Sequence, residues 1–151
     1  MLMEDLKIQF TELLPTIHFE EGGEWLNAYV TPDELKTFAG KLRSLPGLEF
    51  DYLFCLTCVD WKTHFTMVYH FTSTIHRHNI VIKVKLDTSN PEIETVSDIW
   101  RTAEMLEREV YDLFGVKFLH HPDLRRLIMP DDWNGWPLRK NYEDPVNMIK
   151  L

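Results

Sequence analysis

The sequence predicts an α+β fold of two layers, with helices packed on one face of a mixed five-stranded sheet and an irregular arm at the C-terminus. Three observations carry that expectation. Apolar residues recur at helical spacing in three blocks and at alternate positions in five others. The two kinds of block are segregated rather than strictly alternating, as in folds that set helices on one side of a sheet. After Gly115 every period is lost. At 151 residues and 44% hydrophobic composition the chain holds one real core but not two. Residues 1–115 are therefore expected as the domain and 116–151 as an extended arm for partner contact.

In chain order, Met3, Leu6, Phe10 and Leu13 draw one apolar stripe down a short helix over residues 2–14, which Pro15 ends. TIHFEE and EWLNAYV alternate in twos around Glu21-Gly22-Gly23-Glu24, a hairpin-like pair of strands. In TPDELKTFAGKLRSLPG, Thr31 caps a helix, Pro32 suits its first position and Glu34 completes a capping box. Leu35, Phe38, Ala39 and Leu42 share its buried face, and Pro46-Gly47 stops it. Around Phe50, Tyr52, Phe54 and Leu56 both parities are apolar, which predicts a central strand. Phe65 to Phe71 and Ile80 to Leu86 alternate apolar with polar, as strands buried on one side do. After a loop at Asp87 to Pro91, Ser97 is placed to cap a last helix with the stripe Trp100, Ala103, Leu106, Val110 and Leu113. Gly115 stands where a left-handed C-terminal cap belongs.

The totals exclude several classes. A net charge of −8 and a pI near 5.3 oppose general nucleic-acid binding, which needs a concentrated basic surface. No apolar run approaches the roughly 20 residues that cross a bilayer, and MLMEDLKIQF lacks the basic start and apolar core of a secretory signal. Two cysteines do not make a disulfide framework and suit a reducing compartment. There is no dinucleotide-binding, Walker or nucleophile-elbow motif.

Cys55 and Cys58 form a C-x-x-C that, with His70 and His76, nearly matches a zinc pattern, at eleven intervening residues instead of twelve. In an extended strand, however, the two thiols point to opposite faces, and His70 lies on a strand rather than a helix. His64 and His70 are about 20 Å apart along a straight strand and cannot share an ion. His76, His78, His120 and His121 fall in loops with no carboxylate at a familiar ligand spacing. Near the end of the last helix, spacing puts Glu109 and Arg108 beside Asp112 and Glu107 on another side. That predicts an ion-pair network on a solvated or partner-facing side. A stand-alone metal-binding domain and a soluble enzyme using these carboxylates remain as rival readings.

In HHPDLRRLIMPDDWNGWPLRKNY, Arg125, Arg126, Arg139 and Lys140 stand against Asp123, Asp131 and Asp132, so the segment is nearly neutral. Arginine, tryptophan and methionine interleaved with proline match protein interfaces, with Trp133 and Trp136 as flat anchors; the alternative is a compact surface loop that packs back on its own domain.

From Glu107 onward the chain closely resembles the C subunit of bacterial NADH:quinone oxidoreductase, the 30 kDa subunit family of respiratory complex I. The likeness rests on Glu107-Arg108-Glu109, Asp112-Leu113-Phe114-Gly115, His121-Pro122-Asp123-Leu124-Arg125-Arg126, Gly135 and Pro137-Leu138-Arg139-Lys140. It covers about a quarter of the chain. His120, Trp136 and Asn141 depart from the family's usual residues. The resemblance implies a subunit of the peripheral arm, on the cytoplasmic side of the cell membrane, that binds neither flavin, iron-sulfur cluster nor NADH. FMN and iron-sulfur clusters are expected in other subunits of a machine that moves electrons from NADH to quinone and exports protons. The expected partner is the subunit framing the quinone site, gripped through Glu107, Arg108, Glu109 and Asp112 on the helix and through the arm. On the arm the expected contacts are His121, Asp123, Arg125, Arg126, Trp133, Trp136, Arg139 and Lys140. Equivalent subunits serve membrane-bound hydrogenases and ferredoxin- or F420-linked complexes, and the chain does not name the donor.

Overall fold

The computed structural model describes residues 3–146; the ends of the first-helix and arm expectations, residues 1–2 and 147–151, lie outside them. Helix α1 (Met3–Leu13) buries Leu6 and Phe10. Strands β1 (His18–Glu20) and β2 (Asn27–Val30) pair antiparallel, with His18 opposite Tyr29. Helix α2 (Pro32–Ser44) starts at the expected cap, where the Thr31 amide donates to Glu34 Oε2 at 3.4 Å. Its stripe of Leu35, Phe38, Ala39 and Leu42 is buried. Strands β3 (Tyr52–Asp60), β4 (Phe65–Thr72) and β5 (Asn79–Leu86) follow as an antiparallel meander. The sheet order is β1-β2-β5-β4-β3, and β2 runs parallel to β5, so the five strands form a mixed sheet.

Alternation decides which face is covered. Phe65, Met67, Tyr69 and Phe71 of β4 and Ile80, Ile82, Val84 and Leu86 of β5 all point to one side and are buried. The helices and the turns before α3 bring aromatic rings onto that side: Phe10 meets Phe38 edge-on at 5.6 Å and Trp100 meets Phe71 at 4.5 Å. Phe114 meets Phe65 at 6.0 Å. The opposite face carries a cluster of Trp25, Phe54 and His70.

The structure departs from expectation in three places. Strand β3 is an edge strand, not a central one. A bulge between Leu53 and Cys55 shifts the inward parity, so Leu53, Leu56, Cys58 and Asp60 face the core while Tyr52 is exposed. The apolar residues of the other parity are accounted for by the Phe54 cluster. Cys55 sits opposite His70 and Cys58 opposite Met67, on different faces, and burial pushes the Cys58 thiol up to about 12. Second, the last helix, α3 (Ala103–Phe114), starts at Thr102 rather than Ser97. Residues 96–102 make turns that lay Trp100 in the core, its indole N–H donating to the Phe50 carbonyl at 2.8 Å. His78 lies in the loop before β5, as expected, and is buried there, its ring bonded to the Leu48 carbonyl at 3.0 Å. Third, Gly115 does not end the packed domain. Strand β7 (Lys117–Leu119) pairs parallel with β6 (Glu92–Glu94), and Val116 and Phe118 belong to the core.

Candidate functional site

The last four carbonyls of a helix have no partner inside it, and α3 obtains all four partners from residues C-terminal to it. The Gly115 amide donates to the Tyr111 carbonyl at 2.9 Å, in a left-handed cap with φ 77°. Arg126 Nη1 donates to the Asp112 carbonyl at 2.9 Å, and the Leu138 amide to the Leu113 carbonyl at 2.9 Å. Arg139 Nε donates to the Phe114 carbonyl at 2.6 Å. Two arginines thus stand at the negative end of the helix dipole, where cations are stabilised.

Asp112 is fully buried and is the hub of this junction. Its Oδ1 accepts Arg126 Nη1 at 3.0 Å. Its Oδ2 accepts the amides of Leu127, Ile128 and Met129 at 3.3, 2.6 and 3.0 Å. Burial alone would push this carboxyl up. The amides of Met129 and Ile128 and the Arg126 guanidinium outweigh it and hold the pKa below the usual range. Arg126 also donates through Nη2 to the Trp133 and Gly135 carbonyls and lies 4.5 Å over the Trp136 ring. Arg108, buried, donates to the carbonyls of Arg125 and Arg126 at 3.1 and 2.9 Å. One carboxylate and two guanidiniums therefore fix the course of residues 125–136.

Glu107, also fully buried, faces the other side of α3, as helical spacing placed it. It accepts the Thr95 hydroxyl and the Val96 amide, the latter at 3.0 Å, and burial pushes its carboxyl up to about 7. His121 Nε2 lies 3.8 Å from it and donates to the Glu104 carbonyl at 2.9 Å; Nδ1 accepts the Asp123 amide at 3.0 Å. This pairing selects the neutral tautomer with its proton on Nε2.

The network of charge expected on a solvated or partner-facing side is thus internal for Glu107, Arg108 and Asp112, while Glu109 is exposed. Arg125 pairs with Asp123 at 3.0 Å on the surface, and the Lys140 side chain is exposed. Trp133 and Trp136 are half-buried, the latter against Tyr111 at 5.4 Å. Gly115 is required by contact as well as by φ: a Cβ there would lie 2.6 Å from Trp136 Cε2. Asp60 and Thr95 join the junction without any sequence signal, Asp60 by accepting the Lys140 amide at 2.9 Å across 80 residues of chain. Among the described residues no group of three potential metal-ligating side chains converges, and no helix is long and apolar enough to cross a membrane.

A family model described as "Respiratory-chain NADH dehydrogenase, 30 Kd subunit" matches residues 28–146, nearly the whole of this structure including the junction. The chain belongs to that family. The NADH-quinone oxidoreductase C/D subunit of Phocaeicola vulgatus is 45% identical to this 30 kDa-family chain over 113 residues, 74% of the chain but only 21% of that protein. The chain thus spans about a fifth of that relative. The NADH-quinone oxidoreductase C subunit of Moorella thermoacetica is 37% identical over 142 residues, 93% of this chain and 95% of the relative. The F(420)H(2) dehydrogenase C subunit of Methanosarcina mazei is 36% identical over 145 residues, 94% and 90%. Among solved structures, a chain of an archaeal membrane-bound sulfane sulfur reductase superimposes with a TM-score of 0.79 at 26% identity, covering 93% of this chain and 85% of its own.

Proposed function

We propose that this chain is a structural subunit, without a cofactor of its own, in the peripheral arm of a proton-translocating NADH:quinone oxidoreductase. It lies on the cytoplasmic side of the membrane beside the subunit that frames the quinone site. FMN and iron-sulfur clusters reside in other subunits, and the isolated chain transfers no electrons. The observation that carries this reading is the near end-to-end likeness to the Moorella protein. The geometry supports it: Glu107, Asp112 and His121, the groups best suited to acid–base chemistry, are engaged by backbone partners, and those of Asp112 and His121 tie the arm to α3. Arm and helix then act as one rigid face for a neighbour, and rigidity lowers the ordering cost of docking.

A tagged copy expressed in a cell that assembles the complex should co-purify with subunits carrying flavin and iron-sulfur clusters. Recovery of the chain free of any oxidoreductase subunit overturns the reading. The Methanosarcina and sulfane sulfur reductase relatives favour a second reading, the same scaffold in a complex with another electron donor. Identifying the co-purified donor-binding subunit separates the two.

A further inference from the structure

At the end of the sheet where β3 runs out, a cleft of about 480 Å³ opens between the body and the arm. Its walls are Asp60 at the end of β3, Lys62 of the following turn, Phe65, Thr88 and Ser89, and Arg139 and Lys140 of the arm. Three cations line it against one carboxylate, in a chain whose net charge is −8. That carboxylate is already engaged: Asp60 Oδ1 accepts the Lys62 amide at 2.7 Å and Oδ2 the Lys140 amide at 2.9 Å. Asp87, the next acid along, accepts the Ser89 amide and hydroxyl at 3.0 and 2.9 Å.

Arg139 is held with little freedom. Its Nε is bonded to the Phe114 carbonyl, and its guanidinium lies 5.2 Å from the Phe65 ring and 6.0 Å from that of Trp136. It is half-buried and makes no direct ion pair among the described residues, and the Asp60 carboxylate that acts on it is shared with two amides and with Lys140. A partly desolvated, fixed guanidinium whose nearby counter-charge is already engaged is a preorganised receptor for an oxyanion. Lys62, a non-glycine residue at φ 71° in the turn after β3, also lines the cleft.

We propose that this cleft receives a carboxylate carried on an acidic segment of a neighbouring subunit of the same complex. The proposal rests on the subunit reading above. A free carboxylate in so open a cleft stays largely hydrated, whereas one carried on a docked partner arrives at high effective concentration. Because one wall is the arm and the other the body, the incoming carboxylate also ties the two together.

Two measurements decide it. In the purified complex, Lys62→Gly with Lys140→Gln removes both ammoniums, suits the turn and keeps the Lys140 amide. This subunit should be washed out at lower salt than the parental one, with retention reduced at least tenfold at the parental midpoint, while the isolated variant melts no lower than its parent. An unchanged salt profile overturns the proposal. In the isolated chain, hexaglutamate should shift the resonances of Lys62, Arg139 and Lys140, and the double variant should weaken this at least tenfold. Tighter binding of inorganic phosphate than of hexaglutamate overturns it in favour of a phosphorylated small ligand. If the parental chain enters no complex, the subunit reading fails, and the peptide titration still decides the cleft.

Discussion

Asp112 and Glu107 stand five positions apart on one helix and have pKa values shifted in opposite directions, because one meets an arginine and three amides and the other is desolvated with only a hydroxyl and one amide to offset it. Replacing Asp112 with asparagine leaves Arg126 buried without its counter-charge and should cost about 3–5 kcal/mol in urea unfolding. A loss below about 1 kcal/mol would mean that the carboxylate does not organise the junction. The depressed pKa of Asp112 makes its contribution present above the unfolded value near 3.8 and lost as pH falls through the lower folded value. Glu107 has the reverse sign. Its folded pKa of about 7 lies above the unfolded 4.5, so the folded state holds the proton more tightly. Stability should fall as pH rises from about 4.5 to 7, by on the order of 3 kcal/mol from this group. Glu107→Gln should flatten that part of the stability curve, and an unaltered slope would refute the assignment. These environments were not legible in the sequence. Spacing placed Glu107 away from Asp112, but burial of both depends on Thr95 and on residues 126–129, which come from other parts of the chain.

At the scale of elements, α2 was legible to its cap because Thr31, Pro32 and Glu34 act within one turn. Helix α3 was legible only from Ala103 onward. The turns at 96–102 keep a helix-like rhythm, and only the distant Phe50 carbonyl, fixing Trp100, distinguishes them from a first helical turn. The C-terminal cap was read correctly at Gly115, while its tertiary reason, contact with Trp136, was hidden. Gly115→Ala should therefore cost more than the left-handed backbone alone, of order 1–3 kcal/mol, measured from the denaturant midpoint. Strand β3 misled because parity is counted along the chain, and the bulge after Leu53 resets the count.

For the whole molecule, the arm and the body form one packed unit through three capped carbonyls, the Asp112 hub and the Asp60 contact. Amide exchange on the isolated chain should show Ile128 and Met129 protected to a degree comparable with the last turn of α3. Fast exchange across residues 120–140 would mean that the arm orders only on a partner. A chain ending at Gly115 should lose cooperative unfolding in a thermal melt, since it gives up Val116 and Phe118 from the core and three carbonyl partners from α3. By itself the sequence determined the α+β class, the mixed five-stranded sheet, the positions of α1 and α2 and, through residues 107–140, the family, because these depend on local period, local capping or an ordered string of unlike residues. Only the tertiary structure decided that β3 is an edge, that β6 and β7 pair, that the helix-end charges are internal and that a cationic cleft opens beside Asp60. Each of those is set by groups from eleven to eighty residues apart, whose meeting depends on packing and desolvation rather than on any repeat the chain carries.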